Sequence, residues 1–284
     1  MKPSVVRKWL IPAVLVAACA SLAAAQSVKY LSPDKYQAHV GDQLRLHVEA
    51  GDALKPQRVA WPAETIDWLY VRAAGTQENL HKERVRPARE QDDFLTVPLS
   101  HPGVALIGFD TQPTVTQVAG KDLQAFVTRY VEPASLPSPR PRFPSTATLN
   151  VRRVESTKTL VCVQTEDSER SHSATAQSKS GQAVEIRPLA DPTMVPVGSD
   201  LPVRAYVDGD KKVGVRLLAT SVAAGTTQQM VTDESGAAHF RVTHAGLWRL
   251  EFHHAEPLKD DPAADWVIYS ATLTFEVEEK GASK

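Results

Sequence analysis

Cysteine is scarce in this chain of 284 residues, which contains Cys19 and Cys162. If the first 25 residues are removed as a leader, one cysteine remains, and a single thiol cannot form an internal disulfide. The neighbours of Cys162 in the sequence are Leu160, Val161 and Val163. This apolar setting favours a buried structural thiol over a reactive one.

Long hydrophobic runs and the motifs of common enzymes are also missing. After residue 25, no apolar run reaches the length needed to cross a bilayer. The sequence contains no Gly-x-Ser-x-Gly elbow, no His-Glu-x-x-His, no phosphate loop and no dinucleotide fingerprint. We therefore expect a protein that is not an enzyme. A hydrolase assembled from residues far apart in the sequence is a further hypothesis, because catalytic residues need not be neighbours in the chain.

An excess of basic residues is absent as well. Removing residues 1–25 takes away three of the 32 basic residues and none of the 33 acidic ones, which leaves 29 against 33 and a net charge of about −4. Proteins that bind nucleic acid usually present a basic face. No nucleic-acid partner is therefore expected.

The start of the chain has the pattern of an export signal. Three basic residues before position 9 are followed by a short apolar segment at 9–18, and Ala23-Ala24-Ala25 offers small residues at a cleavage site. This pattern predicts a signal peptide over residues 1–25 and a periplasmic product. A second interpretation rests on Val16-Ala17-Ala18-Cys19, which resembles a lipoprotein box. Lipidation of Cys19 would then give a membrane-anchored lipoprotein that faces the periplasm.

The rest of the chain has the composition and periodicity of an all-β protein. It combines twenty prolines with short stretches in which apolar and polar residues alternate. The clearest strands are expected at 43–50, 247–254 and 266–277. One short helix is expected over Lys121 to Tyr130, because Leu123, Phe126, Val127 and Tyr130 are spaced at i, i+3, i+4 and i+7.

We predict two β-sandwich domains. The N-terminal β-rich domain spans 26–164 and contains the helix, and the C-terminal sandwich spans 183–279 and is of the immunoglobulin or transthyretin type. The segment 165–182 has no large apolar residue and is expected to be a linker or exposed loop. Residues 280–284 form a tail.

Two finer expectations concern individual strands. Residues 146–154 and 158–164 are predicted as two separate strands. In the strand predicted over 213–218, alternation places Val213, Val215 and Leu217 towards the core.

Several motifs in the second half of the chain resemble one known family. They are Asp191-Pro192, Val197-Gly198, Leu201-Pro202-Val203-Arg204, Asp208-Gly209, Thr232-Asp233-Glu234-Ser235-Gly236, Gly246-Leu247-Trp248, His254, Ala264-Asp265-Trp266 and Ala271-Thr272-Leu273-Thr274-Phe275-Glu276. In this order they resemble a bacterial exported family built on a domain of unknown function, often labelled as a nickel or cobalt uptake component. The resemblance is strong over 184–277 and weaker before it.

The resemblance implies an exported two-part β protein with a transthyretin-like or immunoglobulin-like C-terminal module and a role in transition-metal uptake. The chain departs from the family pattern in two places. Where family members begin with a His-Asp-Phe-Trp motif, this chain has Ser27-Val28-Lys29-Tyr30. Where they often have Asp-Trp-Glu-Ser, it has Asp265-Trp266-Val267-Ile268. Two potential ligands are therefore missing.

The best candidate site lies at the end of the chain. Alternation in the strand at 247–254 puts His254 at the end of an apolar face and His253 on the opposite face. The loop that follows supplies Asp260, Asp261 and Asp265. Imidazole and carboxylate ligands suit a divalent ion such as nickel, cobalt, zinc or copper. The metal-site hypothesis therefore places His254 and Asp265 first, with His253, Asp260 and Asp261 as further candidates.

A structural interpretation of the same residues is also open. His254 can be a histidine at a strand end that is hydrogen-bonded to Asp265 or to the backbone. At the level of function, the first hypothesis is a non-enzymatic exported binding protein that handles a divalent transition metal, with a metal-transport protein as partner. The second is a structural or protein-interaction module of the cell envelope that binds another envelope protein and no metal.

Calorimetric titration of the mature protein with nickel, cobalt, copper and zinc tests the metal-site hypothesis. We expect heat of binding from one of these ions and its loss in a His254→Ala variant, because the imidazole is the principal ligand. Absence of binding, or equal binding by the variant, would refute the site.

Overall fold

A computed structural model describes residues 28–80, 93–165 and 173–279 of the chain. The predicted signal peptide at 1–25, Cys19 within it and the predicted tail at 280–284 lie outside the described residues. The part of the predicted linker at 166–172 lies outside them too.

The described part of the chain is mostly β-structure with one short α-helix, as the composition predicts. The helix is Gly120–Tyr130, and 3₁₀ turns lie at Pro133–Ser135 and Ala174–Gln177. The strands are β1 (Lys29–Pro33), β2 (Gln37–His39), β3 (Gln43–Ala50), β4 (Gln57–Val59), β5 (Ile66–Ala73), β6 (Thr76–Leu80), β7 (Phe94–Pro98), β8 (Gly103–Thr111), β9 (Thr114–Ala119), β10 (Thr148–Gln164), β11 (Val184–Pro188), β12 (Asp200–Val207), β13 (Asp210–Lys211), β14 (Arg216–Ser221), β15 (Thr226–Val231), β16 (Ala237–Arg241), β17 (Gly246–Pro257) and β18 (Trp266–Val277).

These strands form three sheets. A ten-stranded central sheet runs β15-β14-β17-β18-β10-β8-β5-β6, with β2 and β9 also paired to β10. One four-stranded sheet contains β1, β3, β4 and β7, and the other contains β11, β12, β13 and β16. The expectation of an all-β, sandwich-like fold is confirmed.

The central sheet is buried on both faces near its middle. Along β10, Val161 and Val163 pack into the core formed with the first four-stranded sheet, whereas Leu160 packs into the core formed with the second. Because successive side chains of a strand point to opposite faces, one strand serves both cores. Strands from both predicted domains are thus hydrogen-bonded within one sheet. The division into domains at 165–182 stays a prediction.

The pairing of β10 with β18 is parallel and joins the two halves of the chain. It runs from Val151 opposite Trp266 to Thr159 opposite Thr274. The structure corrects the expectation of two strands at 146–154 and 158–164, because β10 is continuous for 17 residues. Residues 155–157 look like a break in the sequence, but they stay in the strand because β18 pairs with them.

The predicted helix is confirmed and covers one end of the central sheet. Leu123, Phe126 and Val127 are buried in a cluster that also contains Trp266 and Ile268 of β18. The i, i+3, i+4 spacing that predicts the helix therefore also places these side chains on its buried face. The helix also closes one side of the candidate functional site.

Two other expectations need correction. Val213 is 49% exposed, because β14 begins at Arg216 and Val213 lies in the turn before it. The described end of the expected exposed linker is partly buried, with Ser180 at 3% and Gln182 at 4% exposure. Gln182 is polar, yet it is buried because its amide donates hydrogen bonds to the carbonyl oxygens of Phe109 and Thr157.

A buried ion pair ties the central sheet to the second four-stranded sheet. Nζ of Lys158 on β10 lies 2.7 Å from Oε1 of Glu185 on β11, and each side chain is 1% exposed. The backbone N–H of Ser180 donates to the same carboxylate oxygen. A buried pair of this kind contributes little net stability, but loss of one partner leaves an uncompensated buried charge.

We expect Lys158→Met to lower the free energy of unfolding by about 3–5 kcal/mol, because it leaves the Glu185 carboxylate buried without an opposite charge. The double variant Lys158→Met/Glu185→Leu should recover part of that loss, because no buried charge remains. Urea denaturation measures both. The exposed pair between Arg241 and Asp200 is the matched control, and Arg241→Met should have little effect. A double variant less stable than Lys158→Met would contradict this account.

Candidate functional site

The two residues that head the predicted metal site, His254 and Asp265, have different partners in the structure. His254 is buried, and its Nε2 lies 3.6 Å from a carboxylate oxygen of Glu256. The Asp265 carboxylate accepts a hydrogen bond of 2.7 Å from the backbone N–H of Asn150, at the start of β10. Glu256, and not Asp265, is therefore the carboxylate beside His254.

The other predicted ligands are spread around the same loop and strand. Asp261 forms an ion pair of 2.7 Å with Arg152, and this contact lowers the pKa of the Asp261 carboxyl. Asp260 is exposed and occupies a turn with φ of 60°. His253 lies on the face of β17 opposite to His254, as alternation predicts.

These five residues do not converge on one point. Within residues 28–80, 93–165 and 173–279, no group of three or more His, Cys, Asp or Glu side chains could hold a metal ion. The metal site at His254 stays a prediction. The face of β17 that carries His253 leads to a different candidate site.

Polar side chains fill one face of the three central strands, and we call this set the polar ladder. It consists of Arg153, Glu155, Thr157 and Thr159 on β10, Ser270, Thr272 and Thr274 on β18, and Arg249, Glu251 and His253 on β17. The register aligns them in rows, so that Ser270 stands between Glu155 and His253, and Thr272 between Thr157 and Glu251. Alternation places all of them on one face.

Strand β1 lies across the polar ladder and is held by its threonines. The hydroxyl of Thr272 donates to the carbonyl oxygen of Lys29 at 2.7 Å, and that of Thr274 donates to the carbonyl oxygen of Leu31 at 2.6 Å. Thr157 accepts from the backbone N–H of Leu31 at 3.0 Å. These hydroxyls satisfy backbone groups of β1 that would otherwise be buried without partners.

The charged members of the ladder on β17 are engaged as well. Arg249 forms an ion pair of 2.6 Å with Glu49 and also donates to the carbonyl oxygen of Ala53. Nε2 of His253 lies 3.4 Å from the Glu251 carboxylate, and its Nδ1 lies 2.9 Å from the Ser270 hydroxyl. His253 is 2% exposed, so the packing around it holds this geometry.

A chamber opens onto the polar ladder between β1, the helix and the central sheet. Its enclosed space is small, about 20 Å³, and the figure reaches about 390 Å³ only when the open solvent at its mouth is counted. Val28 and Phe126 form apolar parts of the wall, and Arg153, His253 and Ser270 are among the polar residues. At the mouth, Lys29 forms an ion pair with Glu155, and both side chains are partly exposed.

Arg153 is the least compensated charge in the chamber. It is 7% exposed, and its Nε has no hydrogen-bond partner among the described residues. Burial lowers the pKa of its guanidinium, although the charge of Glu155 acts in the opposite direction. An arginine is nevertheless charged at any ordinary pH. The chamber therefore combines a buried positive charge with hydroxyl and imidazole groups.

Sequence reasoning identified the alternation in β17 but missed the chamber. A face carrying Arg249, Glu251 and His253 has the pattern of a solvated strand face, because charged residues are rarely buried. Ser270, Thr272 and Thr274 of β18 also lie at alternate positions and share one face of their strand. The same holds for Arg153, Glu155, Thr157 and Thr159 of β10. Three strands with one polar face each indicate a buried polar site only once it is known that the three strands pair with one another.

Comparison with known proteins places the chain in a family without assigning it an activity. A family model described as a domain of unknown function (DUF4198) matches residues 23–256, well over half of the chain. The match includes the first half, where the motif resemblance is weaker. No curated protein matches the chain. In the described part of the chain, no helix is long and apolar enough to cross a membrane.

The buried histidines should make stability depend on pH. Burial, followed by the positive charge of Lys212, lowers the pKa of His254, and burial also lowers that of His47. In the unfolded chain both return to about 6.5, so the unfolded state binds more protons just below that pH. This stability is fully present above pH 6.5 and is lost as the pH falls through 6.5 towards the folded pKa values.

We expect His254→Gln to reduce the slope of unfolding free energy against pH between 5 and 7, by at most about 1.4 kcal/mol per pH unit. Urea denaturation at a series of pH values measures the slope. His239 is exposed, so His239→Gln is the control and should leave the slope unchanged. The same slope in wild type and His254→Gln would contradict the assignment.

Proposed function

The chain belongs to the family of that domain of unknown function, and on this basis we propose that it is an exported, non-enzymatic binding protein whose ligand occupies the chamber. The leader pattern at 1–25 supports export to the periplasm, either as a soluble protein or anchored through Cys19. The observation that carries the binding role is the buried Arg153, which has no acidic ion-pair partner in the described part of the chain and lines an open chamber. A buried charge without a partner is costly unless a ligand compensates it.

A binding role fits the geometry better than catalysis. Ser270, His253 and Glu251 form a row that resembles a hydrolase triad, with contacts of 2.9 and 3.4 Å. Hydrolases also need backbone N–H groups aimed at the developing oxyanion. Ser270 lies within a central strand that pairs with β10 and β17 on either side, so nearby N–H groups are used by the sheet. These contacts therefore support a role in orienting His253 better than a role in activating a nucleophile.

Handling of a divalent transition metal is the form of this proposal that the family resemblance favours. Among the described residues, three places offer one imidazole beside one carboxylate, namely His253 with Glu251, His254 with Glu256 and His47 with Asp93. Such a pair leaves most of the coordination sphere of nickel, cobalt, zinc or copper to other ligands. A transiently carried ion would take those ligands from a small molecule or from a metal-transport protein.

An interaction module of the cell envelope is the second candidate, and the edge of the central sheet favours it. Strand β15 ends the ten-stranded sheet and is exposed along most of its length. Met230 and Val231 on it are 37% and 47% exposed. An exposed edge strand can pair with an extended segment of another envelope protein. Binding there would leave the chamber unaffected.

Native mass spectrometry of the protein purified from its own periplasm tests the binding proposal. We expect a fraction with a mass above that of the chain alone, because a ligand that compensates Arg153 should survive purification. Ser270→Leu fills the chamber and should abolish the added mass. Ser235→Leu, in an exposed turn, is the control and should retain it. If wild type and both variants carry only the mass of the chain, the proposal fails.

A further inference from the structure

No side chain among the described residues forms an ion pair with Arg153, and the charge of Glu155 acts on it only from a distance. Glu155, two residues along the same face of β10, forms its ion pair with Lys29. Glu251 lies beside His253, and Glu49 beside Arg249. Among the described residues, Arg153 itself forms no ion pair. These acids thus contact other side chains, and the Arg153 guanidinium has no carboxylate in direct contact among the described residues.

The Arg153 guanidinium can be reached by a ligand, because Arg153 is buried in the protein and is also part of the chamber wall. Buried charges are normally paired or neutralised, since an unpaired one costs several kcal/mol in practice. An arginine cannot lose its proton to avoid this cost. A ligand that enters the chamber can supply the contact that the described residues do not give Arg153.

We infer that the chamber binds a small carboxylate anion, with Arg153 as its principal ligand. This inference rests on the proposed function and names the chemical class of its ligand. The planar guanidinium presents paired N–H groups that match the two oxygens of a carboxylate. The hydroxyl of Ser270 supplies a further donor, and Phe126 and Val28 face the apolar end of the ligand. The limited space favours a short acid over a long one.

Lys29 acts on this site without contacting the ligand. Its ion pair holds the Glu155 carboxylate at the mouth of the chamber, where the two side chains are 32% and 21% exposed. Without Lys29, Glu155 is free to turn towards Arg153 and to repel an incoming anion. Lys29 is therefore a positioning residue that keeps the guanidinium available.

The test measures thermal unfolding of the mature protein with millimolar sodium acetate, acetamide or inorganic phosphate at constant ionic strength. Acetamide has the shape of acetate without its charge. We expect acetate to raise Tm as its concentration rises, and acetamide to leave it unchanged. Arg153→Gln should weaken acetate binding at least tenfold, and Lys29→Ala should weaken it severalfold.

Arg152→Gln is the matched control. Arg152 is the neighbour of Arg153 on β10, points to the other face and pairs with Asp261. It should keep the response to acetate. Without acetate, Arg153→Gln should unfold at the same or a higher temperature than wild type, because it removes an unpaired buried charge. A purely structural arginine would instead lower Tm when replaced.

The outcomes separate this inference from the proposed function. A ligand seen by native mass spectrometry that persists in Arg153→Gln, with no response to acetate, overturns the carboxylate inference and leaves the binding role standing. An Arg153-dependent response to phosphate and not to acetate also overturns it. Absence of any ligand and of any acetate response defeats both. A response to acetate that Arg153→Gln removes and Arg152→Gln retains supports the inference.

Discussion

The constraint on which this structure depends is that its central sheet has no free face at β10, β18 and β17. One face packs on an apolar core, and the other carries ten polar or charged side chains that also lie beneath other elements. A polar face can be buried only if nearly every group finds a partner. Three of the threonines, Thr157, Thr272 and Thr274, meet the backbone of β1, and most of the charges meet opposite charges. The position of β1, the route of the helix and the shape of the chamber all follow from this requirement.

The two buried arginines of the polar ladder differ in whether they have a charged partner. Arg249 meets Glu49 and a backbone carbonyl, and it joins β17 to the first four-stranded sheet. Arg153 occupies a similar depth, but it lines the chamber and forms no ion pair among the described residues. Stability alone would favour an apolar residue at this position. A protein that keeps the charge gives up some stability, and a binding site is the usual place for that trade.

Local patterns in the sequence predicted much of the fold. Strand β3, strand β18 and the helix at Gly120–Tyr130 follow from alternation or from helical spacing, because burial acts on nearest neighbours of the same face. The continuity of β10 could not be predicted. It depends on a parallel partner more than a hundred residues away, and long-range pairing leaves no local signal. The chamber could not be predicted for the same reason. Alternation shows which residues share a face of a strand, but it does not show which elements cover that face.

The hydroxyl contacts between β1 and β18 join residues that are 243 positions apart. Synthesis delivers β1 early and β18 late, and domains fold as their parts become available. Strand β1, which covers one side of the chamber, therefore has no β18 to pack against until nearly the whole described chain exists. Contacts of such long sequence separation also slow folding. The ligand binding that we propose would thus be a property of the finished molecule, and a chain truncated before β18 would carry the chamber residues of β10 without the strand that assembles them.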